Sequence, residues 1–117
     1  MKILEVLAPP KQIDPDTYED LEPRFIAGLA KKVLPTIRAK GTPEGYAHLR
    51  TEDGLNLLIG CNINGGSIDI NIGSDVMAMT SSGSNKGAVT AIIKAVYNAV
   101  VKKYGQPSQP GHLTIDH

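Results

Sequence analysis

Cysteine is nearly absent from this chain of 117 residues, in which Cys61 is the single example. One cysteine cannot form a disulfide within the chain, so the fold must rest on its hydrophobic core. The cytoplasm, a reducing compartment, is the corresponding expectation for its location. Because Cys61 alternates with aliphatic residues in a strand pattern, we expect it in the core rather than acting as a nucleophile.

Aromatic residues and net charge are also scarce. The chain has one Phe, four Tyr and no Trp, and its 12 basic residues balance its 12 acidic ones. Few aromatic side chains leave few platforms on which single-stranded bases could stack, and dedicated nucleic-acid-binding domains are usually basic. We therefore keep nucleic acid only as an alternative partner.

Long apolar runs are missing as well. No stretch approaches the roughly 18 apolar residues of a membrane helix, and residues 1–6 lack the apolar region of a signal peptide. We expect no membrane association.

Alternation and helical spacing predict an α+β fold with the element order β-α-β-β-β-α. The predicted elements are a strand over 3–8, a helix from Asp14 that restarts at Pro23 and stops near Leu34, a short strand over 46–50, a hairpin of 55–64 and 68–72 around Gly65-Gly66, and a helix over 88–104. They form an antiparallel sheet of about four strands with two helices on one face.

Residues 1–105 are predicted to be this single domain, and residues 106–117 a flexible or partner-docking tail. Within the tail, residues 113–115 can add a strand to this sheet or to that of a neighbour. Because two helices cover only one sheet face, we also expect a homo-oligomer.

A polar, glycine-bearing stretch, Thr80–Gly87, precedes the clearest helical pattern of the chain. The free N–H groups and the positive dipole end of a helix start favour anions. The residues predicted to hold a phosphate or carboxylate there are Ser81, Ser82, Gly83, Ser84, Asn85 and Lys86. The G-x-x-x-x-G-K-[ST] spacing of a phosphate loop is absent, and an ordinary helix cap is the alternative.

A basic stripe is predicted along the first helix. Arg24, Lys31 and Arg38 are one heptad apart, which places them along one line. Gly28 lies between them, although glycine inside a helix costs about 1 kcal/mol relative to alanine. A ligand approaching there would explain this glycine, so Arg24, Gly28 and Lys31 are candidate ligand-binding residues. A solvated basic face is the alternative.

The predicted hairpin has an amide-rich face. Asn62 and Asn64 on its first strand are joined there by Asp69 and Asn71 on its second. Asparagine both donates and accepts hydrogen bonds, so Asn62 and Asn64 are candidates for contacting a base or a sugar. The alternative is the polar side of a half-exposed hairpin.

No catalytic or metal-binding motif is found, and we predict no catalytic residue, metal or cofactor. His48 has no carboxylate or nucleophile beside it in sequence. His112, Asp116 and His117 carry metal-ligand chemistry but fall in the predicted tail.

The stretch from Pro23 to Tyr104 resembles a double-stranded-RNA-binding domain in its α-β-β-β-α order. Gly83-Ser84-Asn85-Lys86 is loosely similar to the basic helix start of that family, and Gly45-Tyr46-Ala47-His48 to its Gly-x-x-His-like turn. The family has clustered lysines where this chain has Lys86 followed by Gly87. The resemblance implies a shared topology, and with it the alternative of nucleic-acid binding through both helices.

These features predict a non-enzymatic protein that binds a phosphorylated small molecule, a nucleotide or a nucleotide-derived signal. Such a protein would act as a sensor, or would sequester the ligand as phage proteins do against host nucleotide signalling. Two alternatives are kept: a nucleic-acid-binding module of double-stranded-RNA-binding-like topology, and a protein-interaction or inhibitor domain that uses its uneven charge for steering.

Overall fold

A computed structural model describes residues 11–52, 56–73 and 83–116, with the side chains of 83–86 and 115–116 outside the description. The strand predicted over 3–8 lies outside the described residues. The elements are β1 (Tyr18–Asp20), α1 (Pro23–Val33), β2 (Arg38–Gly41), β3 (Ala47–Arg50), β4 (Asn56–Asn64), β5 (Ser67–Gly73), α2 (Gly83–Tyr104) and β6 (Leu113–Asp116).

The predicted α+β class is confirmed. Within the described residues the sheet has six strands, in the order β2-β3-β4-β5-β6, and β1 pairs separately with β4. All pairs are antiparallel except β5 with β6. The sheet is therefore larger than the four strands expected, because the short strands β1, β2 and β6 add to it.

The predicted hairpin is formed by β4 and β5, in the middle of the sheet. Asn64 lies opposite Ser67, which leaves Gly65-Gly66 as the two turn residues, and Gly65 has a φ of 66°. Glycine adopts this conformation without steric penalty, which explains why the turn closes there.

The predicted helix start at Asp14 is wrong. The amide of Asp16 donates to Asp14 Oδ1 over 2.9 Å, and the amide of Thr17 donates to the Asp14 carbonyl over 2.9 Å. This local turn competes with a helix, and the chain then forms β1.

The helix α1 begins at Pro23, where a proline at the first position is tolerated, and ends before Pro35, as predicted. The strand that follows, β2, is absent from the predicted elements, and it places Arg38 on the sheet rather than on a helical stripe. Four strands therefore separate α1 from α2, so the α-β-β-β-α order of the resemblance is not met.

The core lies between the helices and one face of the sheet. Apolar side chains from β3, β4 and β5 pack there against Ile26 and Ala30 of α1 and against Ile92, Val96 and Val100 of α2. Both helices therefore cover the same face, as expected. We call the other side the open face.

The C-terminal residues fold back onto the sheet. Gly105, with a φ of 114°, ends α2, as expected for the glycine after a helix. The amides of Ser108 and Gln109 donate to the Gly66 carbonyl, and the amide of Ile70 donates to the His112 carbonyl. Residues 113–116 are thus a strand of this sheet.

Neither α1 nor the described part of α2 has the length and apolar character required to span a membrane.

Candidate functional site

The open face carries the polar residues of alternate strand positions. Leu57, Ile59, Cys61 and Ile63 of β4 point into the core, so their neighbours in the strand point the other way. The strand register then arranges the residues of the open face in rows across the sheet, spaced about 7 Å apart along the strands.

Four basic side chains occupy one end of the open face, and we call them the cation cluster: Arg38, Lys40, His48 and Arg50. Arg38 lies directly opposite Arg50, and Lys40 directly opposite His48. Together with Ala39 they line a groove of about 250 Å³. His48 Nε2 donates a hydrogen bond to Asn56 Oδ1 over 2.6 Å, which holds the ring in place.

The cation cluster is electrostatically unbalanced. The side chains of Arg38, Lys40 and Arg50 form no ion pair within the described part of the chain, and all three residues are exposed. Like charges directly opposite each other on neighbouring strands destabilise a sheet. An anion held between the two arginines would remove this repulsion and would receive their paired N–H donors.

A second cavity lies beside the cluster, where two strands share one edge of β4. β3 pairs with residues 56–59 of β4 and β1 with residues 62–64, so Gly60 and Cys61 lie at a gap between them. The cavity at this gap, which we call the notch, measures about 340 Å³. Its polar side chains are those of Tyr46, Asn62, Asn71, Asp20, Glu22 and Glu44.

Gly60 allows the ring of Tyr46 to line the notch. A Cβ atom on this residue would lie 3.0 Å from Cε1 and 3.1 Å from Cδ1 of Tyr46. The tyrosine ring can therefore rest on the strand only because residue 60 has no side chain. Tyr46 follows the turn that begins at Thr42, whose Oγ1 accepts a hydrogen bond from the Tyr46 amide.

The cation cluster and the notch are neighbours. Tyr46 precedes His48 by two residues of the extended chain, a separation of about 7 Å. The open face is thus positive at Arg38, Lys40 and Arg50 and lined by carboxylates at the notch. The charge of the open face therefore changes from positive to negative along the direction of the strands.

The structure separates the residues that the sequence grouped together. Asn62 and Asn64 lie on the open face, whereas Arg24, Gly28 and Lys31 are exposed on α1, in the layer behind the sheet. Asn62 lines the notch, and Asn64 lies beyond it at the end of β4. Arg24 follows Pro23, which lines the notch together with Asn62, whereas Gly28 and Lys31 lie further along α1.

Gly28 lies beside open space. A Cβ atom on this residue would have no neighbouring atom within 4 Å. No described part of the protein therefore packs closely against Gly28, and packing does not explain why a glycine stands in the middle of α1.

The predicted anion-binding stretch is only partly described. Ser81 and Ser82 lie outside the described residues, as do the side chains of Ser84, Asn85 and Lys86. The prediction that helix formation starts after Gly87 is wrong, because α2 begins at Gly83. The capping tendency of serine and asparagine favours a loop there, but the helical segment incorporates these residues.

Sequence reasoning misses the cation cluster as a unit. It assigns Arg38 to a helix and considers His48 alone, although Arg38-Ala39-Lys40 and His48-Leu49-Arg50 both alternate a basic residue with an apolar one. This period of two predicts one basic face on each of two strands. The register that places the two faces together comes from tertiary structure.

Cys61 is buried in the core, as expected. Burial, together with the nearby Asp69 carboxylate, raises the pKa of its thiol to about 12. The thiol is therefore protonated at neutral pH and is a poor nucleophile. Within the ranges that the structure covers, no group of three or more His, Cys, Asp or Glu side chains is placed to hold a metal ion.

In comparisons with known proteins, the chain matches no family model, no curated protein and no solved structure.

Proposed function

We propose that this protein binds a phosphorylated small molecule, a nucleotide or a nucleotide-derived signal, on the open face of its sheet. The observation that supports the proposal is the direct opposition of Arg38 and Arg50 across β2 and β3, next to Lys40. Two guanidinium groups brought together on one face form a site whose repulsion a phosphate relieves.

The chemistry of the cluster suits phosphate better than a single carboxylate. Arginine presents N–H donors in a planar fork that matches the oxygens of a phosphoryl group, and lysine adds a compact positive charge. Three fixed cations match the two or more negative charges of a nucleotide phosphate. The groove beside them is open, so a ligand can extend from it along the strands.

Binding without turnover fits the side chains near the cluster. Cys61 is protonated and faces the core, and His48 donates to an asparagine oxygen instead of approaching a hydroxyl or thiol. The chain would then act as a sensor of its ligand or would sequester it.

Thermal unfolding and titration calorimetry with nucleoside mono-, di- and triphosphates, cyclic nucleotides and pyrophosphate test the proposal. Saturation at a hundredfold excess over Kd stabilises a folded protein by about 2.7 kcal/mol, a readily measured shift. The double variant Arg38→Gln/Arg50→Gln should bind at least about a hundredfold more weakly, since each charged hydrogen bond is worth about 1.5–3 kcal/mol.

The matched control is Lys31→Gln/Lys32→Gln, which removes two exposed cations from α1 away from the notch and should leave binding unchanged. Loss of binding in this control alone would relocate the site to the helical stripe that the sequence suggested. Absence of binding by every phosphorylated compound would refute the proposed function.

A further inference from the structure

We infer that the notch between β1 and β3 is the subsite for a nucleoside, and that it binds the sugar and base of a ligand whose phosphate lies on the cation cluster. This inference rests on the proposed function. It specifies the part of the ligand beyond the phosphate, which the cation cluster alone does not. A ligand held at both places would be a ribonucleotide rather than an inorganic phosphate or a phosphorylated peptide.

The notch has unused hydrogen-bonding capacity. Asn62 and Asn71 are half-buried on neighbouring strands, and their side chains make no hydrogen bond within the described residues. Their amides offer both donors and acceptors, the pattern that a base edge requires. Half-buried polar groups of this kind lose little favourable free energy when a ligand displaces their water and forms hydrogen bonds with them instead.

The charges of the notch complement those of a nucleoside. Acidic residues from two segments, Asp20 and Glu22 from one and Glu44 from the other, line the notch without a basic residue among the lining residues. They would repel a phosphate, but they accept hydrogen bonds from hydroxyl and amino groups. A nucleotide has the same polarity, since it is anionic at the phosphate and rich in donors at the ribose diol and the exocyclic amines.

The size and position of the notch also suit a nucleoside. Its volume of about 340 Å³ is in the range of small-ligand pockets. Its nearest approach to the cluster is along β3, from Tyr46 to His48, about 7 Å. This matches a nucleoside diphosphate whose phosphates extend from His48 toward the two arginines, about another 7 Å along β3. Its sugar would lie against the ring of Tyr46, which covers Gly60, with Asn62 and Asn71 within reach of the base.

Glu44→Gln is the sharpest test of the nucleoside subsite. Loss of a hydrogen bond to the nucleoside would weaken nucleotide binding, whereas loss of a negative charge alone would strengthen it. Glu44 is exposed in the turn before β3, so the variant should fold normally. Removing its negative charge should leave pyrophosphate binding unchanged or tighter. If Glu44 accepts a hydrogen bond from the nucleoside, the same variant should bind a ribonucleotide about fivefold or more weakly.

The measurement is calorimetric titration of the full chain with pyrophosphate and with adenosine, guanosine, cytidine and uridine 5′-diphosphates. Glu52→Gln is the matched control, since it removes an exposed carboxylate near the cluster but outside the notch. It should change the affinities for pyrophosphate and for the nucleotides in the same direction. A second pair on one strand, Asn62→Ala against Asn64→Ala, should weaken nucleotide binding only for Asn62. The 2′-deoxy forms of the nucleotides should bind more weakly than the ribose forms.

The outcomes separate the two proposals. If the ratio of nucleotide to pyrophosphate affinity is the same in wild type, Glu44→Gln and Asn62→Ala, the nucleoside subsite is refuted, although phosphate binding at the cluster stands. If wild type binds neither pyrophosphate nor any nucleotide, the proposed function fails and the subsite fails with it. Circular dichroism of each variant confirms that it is folded.

Discussion

Arg38 and Arg50 illustrate a conflict between stability and binding at the level of single residues. Their side chains project from directly opposed positions of two strands, where a pair of like charges is unfavourable by up to about 1 kcal/mol. A sequence selected for stability alone would place a carboxylate or a neutral residue at one of the two positions. The pair is easier to explain if an anion normally occupies the space between them.

Arg38→Gln should therefore stabilise the ligand-free protein. We expect its free energy of unfolding to rise by about 0.5 kcal/mol in low salt, and the gain to shrink in about 1 M NaCl, where the Debye length is about 3 Å. Urea denaturation at the two salt concentrations measures both effects.

Lys32→Gln serves as the control, because Lys32 is an exposed cation on α1 that faces no opposed strand. Its substitution should change the stability by less than about 0.5 kcal/mol. A destabilised Arg38→Gln variant in low salt would show that Arg38 makes a favourable contact, which would remove the main support for an anion at the cluster.

Substitutions in the helix α1 distinguish most easily between a ligand site on α1 and a ligand site on the open face. Gly28 is exposed in its middle, with open space where a side chain would be. Gly28→Ala should therefore stabilise the protein by about 1 kcal/mol through helix propensity, which urea denaturation measures. It should leave nucleotide binding unchanged, because the cation cluster is on the other side of the sheet.

Gly105→Ala is the matched control for this prediction. Gly105 has a φ of 114°, and a Cβ there would lie 2.8 Å from the Lys11 carbonyl oxygen. Alanine at this position should lower the free energy of unfolding. If Gly28→Ala instead abolishes ligand binding, the glycine is an approach point for the ligand and the site belongs to α1.

Elements with a strong local pattern were predictable, and those fixed by tertiary contacts were not. The alternation from Leu57 to Ile63 and the Gly65-Gly66 turn identify the hairpin without further information. Tyr18–Asp20 has no such pattern and is a strand only because Asn62–Asn64 offers it an edge. The cation cluster depends on the register between β2 and β3, whereas alternation within one strand was enough to group Asn62 and Asn64 on one face.

At the scale of the whole molecule, basic residues are divided between two surfaces. One is the open face, with Arg38, Lys40 and Arg50, and the other is the helical layer, with exposed Arg24 and Lys31. The open face is mostly polar, with the half-exposed Leu58 directly opposite His48 as an apolar exception, so it does not by itself require a covering subunit. A homo-oligomer accordingly remains a prediction, which sedimentation of the full chain would test.

Oligonucleotides distinguish a nucleotide-binding protein from the nucleic-acid-binding alternative at this scale. A small site on the open face engages about three cations, so the logarithm of the affinity should fall with the logarithm of salt with a slope no steeper than about −2. Affinity should also level off once the strand exceeds a few nucleotides. A module that uses both helices instead would engage up to six exposed cations, and its slope should approach about −4. These cations are Arg24, Lys31, Lys32, Lys94, Lys102 and Lys103.

Fluorescence anisotropy with labelled single-stranded RNA of about 2, 6 and 12 nucleotides measures both quantities, since these lengths bracket the usual site size of a single-strand-binding domain. The titrations run between about 50 and 500 mM NaCl. Because the helical layer and the open face lie on opposite sides of the domain, a short strand cannot reach both. Affinity that keeps rising with length, together with the steep slope, would therefore establish the helices as the binding surface and contradict a nucleotide site on the sheet.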